Sequence, residues 1–121
     1  MKTGEMKTGE TLWLWLLKMF SGLMIFVIII IHFLVNHYFA PSGLLNHAEV
    51  VAYYQNPLVL LMEAAFLIFV VTHSLTGVRS ILLDLRPAPA LQRLIDITLP
   101  LFGLAAVVYG LWLLQTVSAM R

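Results

Sequence analysis

His73-Ser74-Leu75-Thr76-Gly77-Val78-Arg79-Ser80-Ile81-Leu82-Leu83-Asp84 closes an apolar run that begins near Pro57. Each helical residue turns about 100°, so His73, Gly77, Ser80 and Asp84 fall on one stripe, which Phe66 and Val70 extend backwards. Arg79 points elsewhere, near the end of the run. The stretch from about Asn56 to Leu83 can cross a bilayer, since a span takes roughly 20 apolar residues. An ionisable group within such a span is costly and reads as functional by default. Gly77, one turn on from His73, leaves room for a flat ligand or a neighbouring helix.

Outward from this stretch the chain repeats the same theme. A first span is predicted from about Leu12 to Phe39, with no formally charged residue between Lys18 and Glu49 when histidine is neutral. Trp13 and Trp15 at its start suit a membrane interface. Ala40-Pro41-Ser42-Gly43 breaks it, and the connection to Gln55 carries His47, Glu49, Tyr53 and Tyr54, with His37 just before. Ala48 to Tyr54 has the length of a short interfacial helix. Pro57 suits the first turn of the second span. Arg86-Pro87-Ala88-Pro89 ends it, because the residue before a proline is pushed out of helix. A third span is predicted from about Leu91 to Ser118; Pro100 either kinks it or marks its first turn, and Gly103 and Gly110 share a face. The expected fold is all-α: a polar tail at 1–11 and spans at about 12–39, 56–83 and 91–118, forming one membrane domain within a larger helical bundle. Residues 1–10 are one pentapeptide written twice, Met-Lys-Thr-Gly-Glu. They read as a poorly ordered tail with no role or as a short arm docking on a soluble subunit. No small-residue cleavage site follows residue 30, so the start is expected to be retained.

Composition agrees with a membrane class. The chain of 121 residues is 61% hydrophobic and 11% charged, where soluble domains are about a quarter charged. The absence of cysteine excludes disulfides, cysteine-ligated clusters and covalently attached c-type haem. A net charge of +1 argues against nucleic acid as a partner. Lys2, Lys7, Lys18, Arg79, Arg86 and Arg93 fall on one side of the predicted spans, against Arg121 on the other. The positive-inside rule then places the N-terminus and the Arg79–Arg93 region in the cytoplasm.

The pattern H-x3-G-x-R-x4-D at His73, Gly77, Arg79 and Asp84 resembles the second transmembrane helix of the cytochrome b anchor subunits of succinate dehydrogenase and fumarate reductase (complex II). Ser21-Gly22, entering the first span, resembles that family's R-x-S-G, with Met19 at the arginine position and Lys18 the nearest cation. With three spans in matching order, the resemblance covers roughly residues 13 to 115. It implies that His73 is an axial ligand of b-type haem and that Arg79 and Asp84 lie at the membrane face meeting the iron–sulfur subunit. It also implies a quinone pocket near Ser21 and Lys18. The implied partners are the flavoprotein and iron–sulfur subunits, a second membrane anchor, quinone and lipid, with a higher oligomer possible. The implied place is a bacterial or archaeal cytoplasmic membrane, in the respiratory chain. Succinate chemistry would belong to the complex, since this chain carries no flavin or cluster site. Two-haem members of the family place one ligand on each of two successive helices; one-haem and haem-free members also exist. The competing reading is a non-redox structural or assembly subunit with structural histidines.

Depth within the spans bears on the haem count. His32 lies about seven residues past the middle of span one, roughly 10 Å toward the outside. His73 lies three to four residues past the middle of span two, roughly 5 Å toward the cytoplasm. A height difference of about 15 Å is too large for one iron and suits two stacked haems, each taking its second ligand from the partner anchor. Ser21 shares a stripe with His32, and Lys18 lies beyond. This hydroxyl and this cation either bond a quinone carbonyl or haem propionate, or are a packing residue and a snorkelling lysine. Arg79 either holds a propionate, meets the iron–sulfur subunit, or is a plain anchor. Asp84 pairs with a basic partner residue or faces headgroup water. Glu63, two turns inside span two, is expected to be protonated or hydrogen-bonded. Its open roles are proton carriage, contact with an outer haem, and structure. For topology, single cysteines at Gly43 and at Ala88 should label from opposite sides of the membrane; labelling of both from one side would refute the three-span reading.

Overall fold

The computed structural model describes residues 11–40 and 43–120. The doubled pentapeptide, Pro41, Ser42 and Arg121 lie outside the described residues, and with them the expectation of a tail or docking arm. The described residues form four helices and no strand: α1 (Leu12–Phe39), α2 (His47–Tyr54), α3 (Pro57–Asp84) and α4 (Pro89–Ser118). Three of them, α1, α3 and α4, are long and apolar enough to cross a membrane, as the sequence pattern predicts.

Local chemistry sets the ends. The Thr11 hydroxyl accepts from the Leu14 N–H, satisfying one of the orphan donors of the first turn. Asn46 and Glu49 close a reciprocal capping box that starts α2. The Asn56 side chain caps α3, with Pro57 in its first turn. After α3, Arg86 turns left-handed at φ 52° and the chain re-enters helix at Pro89. That start is two residues earlier than the sequence suggests, because a first-turn proline gives up only an N–H that has no helical partner. Pro100 lies in the interior of α4, not in its first turn, and leaves the Asp96 carbonyl without its usual helical N–H.

Helix α3 is the centre of a single layer. Residues two apart on a helix point about 200° apart. Phe69 and His73 therefore meet α1, at Phe20 and Gly22, while Val71 and Leu75 meet α4 at Gly103. Leu67 packs on Gly110 further along. Both neighbours run antiparallel to α3, and α2 sits across one end against α3 and α4. A groove remains on each face of the layer. One, of about 590 Å³, is bounded by Leu17, Leu75, Arg79, Asp96 and Pro100. The other, of about 410 Å³ and nearer α2, is bounded by Tyr54, Glu63, Phe66, Val70 and Leu113.

Such a layer encloses little. Among the described residues the buried apolar side chains are Val51, Tyr53, Val59, Leu83 and Ile95, and the buried polar ones are Ser21 and Glu63. The long apolar side chains point outward because lipid, not a protein core, is their solvent. Helix association in lipid depends on close packing and interhelical hydrogen bonds, so the glycine contacts with α4 matter. Gly103→Leu should drive into Leu75 and Val71 and cost about 1–3 kcal/mol, as overpacking does. Gly77→Ala, where an added Cβ meets nothing within 4 Å, should be neutral or stabilising. Unfolding in detergent micelles measures both.

Candidate functional site between α1 and α3

Among the described residues the two buried polar side chains, Ser21 and Glu63, mark two clusters, both on the α1–α3 contact. The first lies toward the Thr11 end of α1. His73 of α3 places Nδ1 3.1 Å from the Lys18 carbonyl oxygen, and the Ser21 hydroxyl donates to the same oxygen at 3.0 Å. Ser21 has no exposed surface, and its Oγ is 3.4 Å from Nδ1. A carbonyl only accepts, so the ring proton sits on Nδ1 and Nε2 keeps its lone pair. The ring lies on Gly22, where a Cβ would come within 3.0 Å of Cε1 and 3.2 Å of Nδ1. Glycine is the residue that lets the imidazole lie against the α1 backbone. Lys18 Nζ donates to Ser80 Oγ at 2.8 Å, and Ser80 donates to the Thr76 carbonyl. The first turns of α1 and the last turns of α3 are thus joined by side chains.

The structure brings together three of the predicted site residues here: His73, Ser21 and Lys18. Ser21 faces His73 across the helices; the stripe it shares with His32 along α1 is not where it pairs. Arg79 stands apart. Six residues on from His73 it is turned about 120° away, and its Nε donates to Asp96 Oδ1 of α4 at 2.9 Å. This pair closes one end of the larger groove. Sequence reading missed Asp96; its signal was an acid in the first turns of span three beside the arginines that end span two. Asp84 is exposed.

The second cluster lies ten residues away on each helix, Glu63 against His73 and His32 against Gly22, or about 15 Å. Glu63 is 8% exposed and Tyr53 2%. The Tyr53 hydroxyl donates to Glu63 Oε1 at 2.8 Å. Asn36 Nδ2 donates to the Tyr53 oxygen at 3.1 Å and to the His32 carbonyl at 2.8 Å. His32 Nδ1 stands 2.8 Å from Glu63 Oε1, a close polar contact that lies off hydrogen-bond alignment. Its ring stacks on Phe66, with centroids 5.5 Å apart. Tyr53 and Asn36 were also missed from sequence. The available signal was Glu63 itself: a carboxylate inside a span calls for donors, and α2 ends just before the Gln55-Asn56-Pro57 turn that leads to it. Among the described residues no three His, Asp or Glu side chains converge on a bare metal ion.

The family described as succinate dehydrogenase/fumarate reductase transmembrane subunit matches residues 2–108. The chain is also similar to the succinate dehydrogenase hydrophobic membrane anchor subunit of Archaeoglobus fulgidus, 32% identical over 103 residues, 85% of this chain and 87% of that protein. No solved structure matches.

Burial first, then the hydrogen bond to Glu63, pushes the Tyr53 phenol well above its ordinary value. A proton held more tightly in the folded state stabilises it below the ordinary phenol value. That stability drains away as pH climbs past it, when the unfolded chain ionises first. Tyr53→Phe should therefore lose less stability at alkaline pH than the wild type. It should also lack the latest-ionising component of the phenolate absorbance.

Proposed function

Because the chain belongs to the family of succinate dehydrogenase and fumarate reductase transmembrane subunits, we propose that this integral membrane anchor subunit holds b-type haem through His73 and His32. The observation that carries the reading is the seat of His73. Its Nδ1 is engaged by the Lys18 carbonyl, so Nε2 is the nitrogen offered to iron, and metal-bound histidines usually give their other N–H to such an acceptor. Gly22 supports one side of the ring, and one turn on the surface at Gly77 is open. A flat macrocycle fits that combination of a fixed imidazole and a bare helix face. His32, about 15 Å along the same helix pair, is the ligand for a second haem nearer α2. In each case a second anchor subunit would supply the further ligand.

Bound there, haem supplies one-electron storage between the iron–sulfur clusters and quinone. The chain's own groups prepare the site. Ser21, buried beside His73, helps hold the carbonyl that orients the ring. Lys18 brings a cation to the same end of the layer, suited to a haem propionate or a quinone carbonyl. The Arg79–Asp96 pair, on the other face, suits contact with the iron–sulfur subunit, which carries the flavoprotein. The Lys and Arg distribution supports a cytoplasmic side for this end. In this reading electrons from succinate reach quinone at the cytoplasmic side.

The test is spectroscopic. Reduced-minus-oxidised spectra of the purified complex should show b-type bands and two haems per flavin. His73→Ala should remove one haem and His32→Ala the other, while Gly22→Ala, which presses on the His73 ring, should lower occupancy of the first alone. A His73→Ala complex with wild-type haem content and spectrum would refute ligation.

A further inference from the structure

The geometry points to Glu63, held by Tyr53 of α2, as the residue that positions His32 and sets the potential of the iron it ligates. This rests on the reading of His32 as a haem ligand. The argument is the direction of the hydrogen bonds. Asn36 Nδ2 only donates, and it spends its protons on the Tyr53 oxygen and the His32 carbonyl. The Tyr53 proton then goes to Glu63 Oε1. That oxygen is therefore an acceptor on the side of Tyr53, and His32 Nδ1 stands 2.8 Å from the same atom. Nδ1 bearing a proton is attracted there; Nδ1 bearing a lone pair would be repelled. The proton belongs on Nδ1, which leaves Nε2 as the ligating nitrogen.

The contact is close but not aligned. Aligning the N–H with the carboxylate would take a turn of the imidazole, whose ring is stacked on Phe66. Leaving a buried N–H unsatisfied is costly, so the ring has a reason to complete the turn. A carboxylate taking the N–H of a metal-bound imidazole raises the basicity of the ligand. More basic imidazole favours the ferric state and lowers the midpoint potential. Tyr53 acts in the opposite sense, because a hydroxyl donating to the same oxygen draws its electron density away from His32. The residue on the interfacial helix thus trims what the residue on α3 does.

These opposed signs are the test. Midpoint potentials are measured electrochemically in the purified complex, at the haem that His32→Ala removes. Glu63→Gln keeps shape and an acceptor oxygen but no negative charge, and its midpoint should shift upward. Tyr53→Phe frees the carboxylate, and its midpoint should shift downward. A merely structural role would lower haem content or stability in both and leave no opposed shifts. If His32→Ala removes a haem while both variants stay at the wild-type midpoint, the role of Glu63 is overturned and ligation stands. If Glu63→Gln loses the haem outright, Tyr53→Phe decides: a downward shift supports the inference and an unchanged midpoint overturns it. If His32→Ala leaves haem content unchanged, ligation by His32 fails and this inference with it.

Discussion

A polar side chain inside a bilayer has no water to fall back on and must find its partners within protein. In this chain the contact between α1 and α3 carries that requirement. Toward one end the Lys18 carbonyl takes the Nδ1 proton of His73 and the hydroxyl proton of Ser21. Toward the other, Glu63 draws in His32 from α1 and Tyr53 from α2. Apolar surface does not drive helices together in lipid, since lipid tails are as apolar as leucine. These interhelical contacts, with the close approach allowed at Gly22, Gly103 and Gly110, are what fix α3 between its neighbours.

The flat arrangement follows from the same requirement. With α1 and α4 on opposite sides of α3, both faces of the layer stay open and each keeps a groove. The polar groups are not scattered over these faces. His73 and Gly77 lie on one side of α3, and Arg79 is turned away from them toward Asp96. A helix in a bundle of three or more has one sheltered stripe, but a helix at the centre of a layer has two. The two stripes allow α3 to present an imidazole in one direction and an ion pair in another within a single turn and a half.

Much of this was legible in the sequence, and the limits are instructive. Helical period and apolar length suffice for three spans, because they are properties of each segment by itself. The histidine depths could also be read, since rise per residue is fixed, and the contacts of Gly22 and Glu63 give the same separation of about 15 Å. Pairing across helices was harder. The sequence puts Ser21 on one stripe with His32 and does not show that it faces His73 on α3. Periodicity says which residues share a stripe and nothing about which neighbour that stripe meets. Asn36 and Tyr53 escape for a related reason: an amide near the end of a span, or a phenol in the interfacial helix, looks like ordinary surface until the carboxylate it serves is placed beside it. Arg79 shares the motif with His73, but the turn of about 100° per residue sends it elsewhere, and it meets Asp96 of α4.

The two histidines are alike in sequence terms, each an imidazole late in an apolar helix, and the structure makes them different. One hands its ring proton to a neutral backbone carbonyl, the other faces a carboxylate. A carbonyl orients a ring; a carboxylate orients it and, being charged, raises its basicity further. The difference comes from Glu63, which α3 supplies one turn before Phe66 at one level, while at the other the nearest acceptor is the Lys18 carbonyl of α1. Two side chains of one chemical type on one helix pair thereby stand in unequal electrostatic surroundings.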